Sequence, residues 1–186
     1  MIKVAIIVVL VIIGLFLIFA GYFGTFTRVL VKEKSKKTFW IVYEKFTGPY
    51  QNTGPVMDKL YYRLLNDESI ETFKGFGIYY DNPREVTADE CRSIVGSILE
   101  EIDYNRIDEL KSKYNIMEIT ESKGLSSQFP YKGKLSIMMG IMKVYPKINE
   151  TIDSLGIKSK PIMEIYNIPE KMIHYFMALD PEFPVF

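Results

Sequence analysis

Phe76-Gly-Ile-Tyr-Tyr-Asp-Asn-Pro-Arg-Glu-Val-Thr-Ala-Asp-Glu-Cys-Arg-Ser-Ile-Val-Gly-Ser-Ile98 decides how this chain folds. An aromatic run stops at Asp81-Asn82-Pro83, a polar loop follows, and a β-branched run returns from Ile94. Aromatic and β-branched side chains suit a pleated surface. Asn-Pro breaks it, because proline has no N–H and pushes its predecessor out of the helical region. The stretch therefore predicts a strand, a loop and a partner strand. Thr87-Ala-Asp-Glu90 has capping-box spacing, which predicts a short helical turn inside the loop. Successive strand residues face opposite ways, so only one of Tyr79 and Tyr80 faces any one side of the sheet.

Moving outward, Thr38–Phe46 reads as a strand and Thr47-Gly-Pro-Tyr50 as a turn. Val56, Met57, Leu60, Tyr61, Leu64 and Leu65 then recur at three and four, the mark of an amphipathic helix. Beyond a charged connector with a weak helical face at Ile107, Leu110 and Tyr114, Met117–Glu121 reads as a short strand and Ser122–Gln128 as loop. Ser136–Leu155 carries a second apolar helical stripe, with Gly156 as its stop and Pro146 predicted to kink or divide it. Pro161–Asn167 and Lys171–Leu179 read as two more strands. The order strand, helix, strand, strand thus occurs twice. Phe46-Thr-Gly-Pro-Tyr50 is echoed by Phe129-Pro-Tyr131, and Tyr79-Tyr-Asp-Asn-Pro83 by Ile165-Tyr-Asn-Ile-Pro169, a register that sets Tyr80 against Tyr166 and Ile78 against Glu164. The predicted fold class is α+β: duplicated strand-helix-strand-strand units about a pseudo-twofold axis, preceded by one transmembrane helix, with a ligand cleft expected between the units. Repeat one covers 38–100, the connector 101–127, repeat two 128–180 and a tail 181–186.

Residues 1–27 form the predicted membrane segment. Val4–Phe26 holds no charge, and a helix of that length spans the roughly 30 Å hydrocarbon core. Tyr22, Phe23 and Phe26 suit an interfacial belt. The alternative is a signal peptide cleaved near Ala20, with secretion. Arg28, Lys32, Lys34, Lys36 and Lys37 against Glu33 make residues 28–37 a basic juxtamembrane linker and place the carboxyl side in the cytosol by the positive-inside rule. The bilayer is the first expected partner. Lys+Arg and Asp+Glu both number 23, so the chain has no charge excess to drive phosphate binding and nucleic acid is not expected. One cysteine and one histidine propose neither a disulfide framework nor a metal site, and no cofactor is expected.

Phe19-Ala-Gly-Tyr22, Tyr79-Tyr-Asp-Asn-Pro83, Cys91-Arg92, Val95-Gly-Ser-Ile98, Phe129-Pro-Tyr131, Leu135-Ser-Ile137, Glu164-Ile-Tyr166 and Ile173-His174 carry a resemblance, in order along nearly the whole chain. It is to the GyrI-like effector-binding domain family, which includes a bacterial gyrase inhibitor and ligand domains of transcription regulators. Within it the chain resembles the testis-expressed, single-pass membrane branch that acts as a receptor for selective autophagy of the endoplasmic reticulum. The resemblance implies a non-enzymatic adaptor in the endoplasmic reticulum membrane, amino terminus lumenal and domain cytosolic, with ubiquitin-like autophagy proteins as partners. The alternative it implies is a membrane-tethered small-molecule domain, hydrolytic in some members.

That branch carries an acidic tail with an aromatic-x-x-aliphatic docking motif. Here Phe183-Pro-Val-Phe186 has the acidic lead-in but ends in Phe, and Tyr62-Arg-Leu-Leu65 fits by letter while falling on the core face of its helix. The family commonly places an acid among aromatics on its final strand. This chain has His174 there, so the candidate pocket comprises Glu164, Tyr166, His174, Tyr80 and Trp40, with Cys91 as a structural thiol and no catalytic residue assigned.

Overall fold

The computed structural model describes all 186 residues. Its helices are α1 (Ile2–Tyr22), α2 (Thr53–Glu68), α3 (Ile107–Leu110) and α4 (Lys134–Leu155). Its strands are β1 (Lys32–Lys36), β2 (Phe39–Thr47), β3 (Lys74–Tyr79), β4 (Arg92–Ile98), β5 (Asn115–Ile119), β6 (Ser122–Pro130), β7 (Ile162–Asn167) and β8 (Met172–Asp180). They form one antiparallel sheet in the order β1-β6-β8-β7-β3-β4-β2-β5.

That order is a palindrome of two repeats, β1-β2-α2-β3-β4 and β5-β6-α4-β7-β8. Each repeat's leading strand has crossed to the other: β1 pairs with β6, and β5 with β2. Only two residues separate β1 from β2, and the sequence β5 to β6 is equally short. Links of that length reach about 11 Å at most, so strands lying near opposite edges are joined only if the sheet curls. Two contacts bear this out. The amide of Glu121 donates to Thr38 Oγ1 at 3.0 Å, tying the two links together. Lys36 sits over both Phe39 of β2 and Phe176 of β8, and burial, with Lys74 and Lys34 nearby, pulls its ammonium down to about 8.

The inner face of the curl buries Ile41, Phe76, Ile78, Ile94, Met163, Ile165 and Phe176, with Phe183 of the tail inserted among them. The outer face carries the helices. Leu60 and Leu64 of α2 pack on Val42, while Val144, Ile148 and Ile152 of α4 pack on Leu125, Ile173 and Met177. The opening stretch folds as predicted, with Asp81 as its clasp: the carboxylate accepts from Arg92 N–H at 2.7 Å and from the guanidinium at 3.0 and 2.8 Å. Arg92 accordingly holds the Asp81 carboxyl below its usual range. Thr87 Oγ1 donates to Glu90 within the predicted capping turn.

Four expectations are corrected. Ser122–Gln128 is strand, not loop; its alternation buries Ser122, Gly124, Leu125, Ser127 and Phe129 against β8 and α4. The basic linker 28–37 is partly strand, since β1 lies within it. Pro146 does not divide α4, because it lies on the exposed side where the Met142 carbonyl it leaves unpaired can be solvated. Tyr62 points outward and Leu65 is half-buried, while Leu64 is the core residue of that turn.

Candidate functional site

The register places the pseudo-twofold axis through the cross-strand pair Gly77 and Glu164, at the β3–β7 junction where the repeats meet. Tyr79 is thereby matched with Tyr166, and Gly77 with Glu164. The register read from shared wording is one residue out, and a one-residue slip exchanges the faces of a strand. Gly77 gives the axis its floor: a Cβ there would lie 2.7 Å from the ring of Tyr79, which folds back over it.

Glu164 is 1% exposed, on the helix-side face between Gly77 of β3 and Tyr175 of β8. Tyr145 of α4 and Tyr166 of β7 each donate a hydroxyl to its carboxylate, at 2.7 Å to Oε1 and 2.7 Å to Oε2. The Tyr79 hydroxyl lies 3.3 Å from that of Tyr166. The ring of Tyr50 stands 4.8 Å from Tyr79, and Tyr131 stands 6.0 Å from Tyr166. Tyr175 packs edge-on against Tyr145, and its buried hydroxyl, pressed against Gly140, has no hydrogen-bond partner. No lysine, arginine or histidine pairs with Glu164.

Burial raises the Glu164 carboxyl above its usual range, against the opposing pull of the two tyrosine hydroxyls. Burial likewise raises Tyr79, Tyr145, Tyr166 and Tyr175, each reinforced by the negative charge of Glu164, and it lifts Tyr50 to about 12. The tyrosines are therefore neutral donors at physiological pH. A desolvated carboxylate surrounded by π-faces, with no cation of its own, is an environment suited to a cation: the charge meets the carboxylate and its body meets the rings.

Of the five candidate pocket residues, Glu164 and Tyr166 come together here. Tyr80 does not: it lies on the inner face, where its hydroxyl donates to the Pro184 carbonyl at 2.7 Å. His174 is also elsewhere, its Nε2 lying 2.9 Å from Glu170 at the end of β8. Trp40 packs beside Ile116 and Leu110 under the ammonium of Lys111, 5.0 Å above its ring. Phe183 and Phe186 do not form a free docking motif. Phe183 is buried against Phe176, and Phe186 packs on Tyr80 with Lys45 and Arg92 over its ring. Cys91 is buried, which raises its thiol and suits a structural role. Sequence reasoning missed Tyr79, Tyr145, Tyr175, Tyr50 and Tyr131. The available signal was parity, since Tyr175 and Tyr166 share the face of the buried core residues Ile173, Met177 and Ile162.

No protein-family model matches the chain. Testis-expressed protein 264 of Homo sapiens is 31% identical over 173 residues, covering 88% of this chain and 52% of that protein. The Mus musculus homolog is 28% identical over 169 residues, covering 87% and 52%. The chain thus spans about half the length of these curated relatives. Among solved structures, the EcmrR C-terminal domain matches with a TM-score of 0.54 at 9% identity, covering 81% of this chain and 96% of that one. SAV2435 bound to tetraphenylphosphonium matches with a TM-score of 0.51 at 10% identity, covering 82% and 94%. At such identities the likeness is one of fold: the curled eight-stranded antiparallel sheet of this chain is similar to that of GyrI-like effector-binding proteins, and in this chain it carries a tyrosine-enclosed glutamate.

Proposed function

We propose that this is a membrane-anchored binding module that holds a small lipophilic cation against Glu164 within the tyrosine cluster. The observation that carries the reading is the buried Glu164 carboxylate, hydrogen-bonded by Tyr145 and Tyr166 but paired with no positive charge. SAV2435, of the same fold, is bound to tetraphenylphosphonium, an aromatic-substituted cation whose chemistry suits a carboxylate among rings. The half-buried rings of Tyr50, Tyr131 and Tyr145 form the wall such a ligand displaces. In the same reading α1, which is long and apolar enough to cross a membrane, is the anchor and the domain lies in the cytosol.

Titrating the full chain in detergent with tetraphenylphosphonium is expected to raise its melting temperature and give a saturable heat of binding. Glu164→Gln, which keeps the shape and an acceptor oxygen but removes the charge, is expected to abolish both. Equal binding by the parent and Glu164→Gln, or no binding by either, overturns the reading.

The resemblance to testis-expressed protein 264, 31% identical over 173 residues, prompts a second reading. In it the anchored domain is an adaptor in autophagy of the endoplasmic reticulum. The packed Phe183 and Phe186 leave the docking motif to be supplied by another segment. Co-precipitation of the native protein with ubiquitin-like autophagy proteins from cells is the expected result, and its failure overturns this role.

A further inference from the structure

The joint between α1 and the domain is built rather than loose. Lys132, just ahead of α4, places its Nζ 4.0 Å from the ring of Tyr22 in the last turn of α1. Lys143, in the third turn of α4, donates to the carbonyls of Gly24, Thr25 and Thr27, just past the end of α1. Between them Gly24 is pressed onto Phe129, so closely that a Cβ would lie 2.6 Å from the ring. Both ends of the first half of α4 are therefore within one lysine side chain of the point where α1 ends.

That half of α4 presents apolar side chains to the outside. Leu135, Met138, Ile141 and Met142 are 44%, 52%, 43% and 65% exposed, while Val144 and Ile148 fill the core from the opposite side. Lys132 and Lys134, both exposed, lead into the patch at the start of α4, while Lys143 and Lys147 lie farther along the helix in a groove shared with Arg28. An exposed apolar face with basic residues at its margin is the pattern of a helix lying at a membrane surface, with its apolar side chains at the headgroup–acyl boundary and an exposed lysine, here Lys134, within reach of phosphates. Methionine suits such a surface because its flexible thioether conforms to irregular surroundings. We propose that this face of α4 rests in the bilayer that α1 crosses, so that the domain lies on the membrane in a fixed orientation. The occupant is lipid because a spanning α1 brings the bilayer surface to its own carboxyl end, where Lys132 and Lys143 hold α4. Tyr131, the residue before Lys132, is part of the wall around Glu164, so this orientation sets the edge of that site at the lipid surface.

The proposal rests on reading α1 as a membrane span, and its test separates the two. The full chain with Cys91→Ala and Met142→Cys, carrying an environment-sensitive fluorophore at position 142, is reconstituted into phosphatidylcholine–phosphatidylserine vesicles containing spin-labelled lipid. A parallel sample carries the label through Ile102→Cys, an exposed site in the connector that follows β4 in the other repeat. The expected result is a blue-shifted, lipid-quenched emission at 142 and neither effect at 102, with Leu135→Glu plus Met138→Glu abolishing the quenching at 142. Water-like, unquenched emission at 142 in protein that resists alkaline carbonate extraction overturns the docking and leaves the anchor standing. Release by carbonate overturns the anchor, and the docking with it.

Discussion

Gly96→Ala is expected to destabilise the domain by about 3 kcal/mol or more, lowering the melting temperature by roughly 6–12 °C. Gly96 lies in β4 opposite Tyr43 of β2, and a Cβ there would stand 2.0 Å from the Val42 carbonyl oxygen and 3.0 Å from both Tyr43 Cα and Leu60 Cδ2. Two of these three obstacles, the carbonyl oxygen and the Cα, are backbone, so no rotamer change relieves them and β2 has to move away from β4. Moving β2 also disturbs β5, which hangs on its other edge, and Leu60, which packs α2 onto the sheet. Gly54→Ala is the control. It sits in the first turn of α2, where an added Cβ would meet nothing within 4 Å, and it is expected to be neutral or stabilising by up to about 1 kcal/mol. Thermal and urea unfolding of the full chain in detergent measure both. A Gly96→Ala protein as stable as the parent overturns the account of tight β2–β4 contact.

The elements built from side-chain periodicity were legible in the sequence. The stripes of α2 and α4, the strands β2, β3, β4, β7 and β8 and the clasped turn at Asp81 state their structure locally, because one buried face imposes a period on residue choice, whereas β6, broken by Gly124 and four serines or lysines, reads as loop. The strand β1, Lys32-Glu-Lys-Ser-Lys36, was not legible. It is an edge strand, exposed for most of its length, so burial imposes no pattern on it. Its partner β6 lies some ninety residues away, and a crossing of leading strands between repeats leaves no mark in local composition.

The duplication could be read, but its register could not be fixed from Tyr-Asp-Asn-Pro and Tyr-Asn-Ile-Pro alone. The strand ladders settle it, by carrying Tyr79 rather than Tyr80 onto Tyr166. That single-residue difference decided the candidate site: it exchanged the inner-face residues Tyr80 and His174 for Tyr79, Tyr145 and Tyr175. Glu164 was reached through the family resemblance, and its burial gives the physical reason that it matters. An acid amid Met163, Ile165 and Tyr166 on a short strand is expensive to bury, and its presence there points to a use.

Glu164 is also expected to give the fold a pH dependence of opposite sign to that of its other perturbed carboxylates. In the unfolded chain it titrates in the ordinary range, and in the folded chain burial sets its pKa higher. Between those values the folded state holds a proton that the unfolded state has lost. Its contribution is therefore fully present below the unfolded pKa and is lost as pH rises through the folded one. Asp81 and Glu109, lowered by Arg92 and Arg106, work the other way: their stabilisation is present above the unfolded pKa and lost as pH falls through the folded values. Comparing the parent with Glu164→Gln from about pH 4 to about pH 8 removes those shared contributions, since only the parent carries the Glu164 proton. The difference in stability between parent and variant is expected to shift against the parent as pH rises. Glu164→Leu separates charge from hydrogen bonding. It strips the acceptor from two tyrosine hydroxyls and is expected to cost about 3 kcal/mol even at acidic pH, where the parent's carboxyl is neutral. A permanent cation favours the ionised carboxylate, so tetraphenylphosphonium affinity is expected to rise with pH through the same window, with a proton released on binding. Parallel stability curves for parent and Glu164→Gln would show that the buried carboxyl does not titrate with folding, and an affinity independent of pH would remove the charge of Glu164 from ligand recognition.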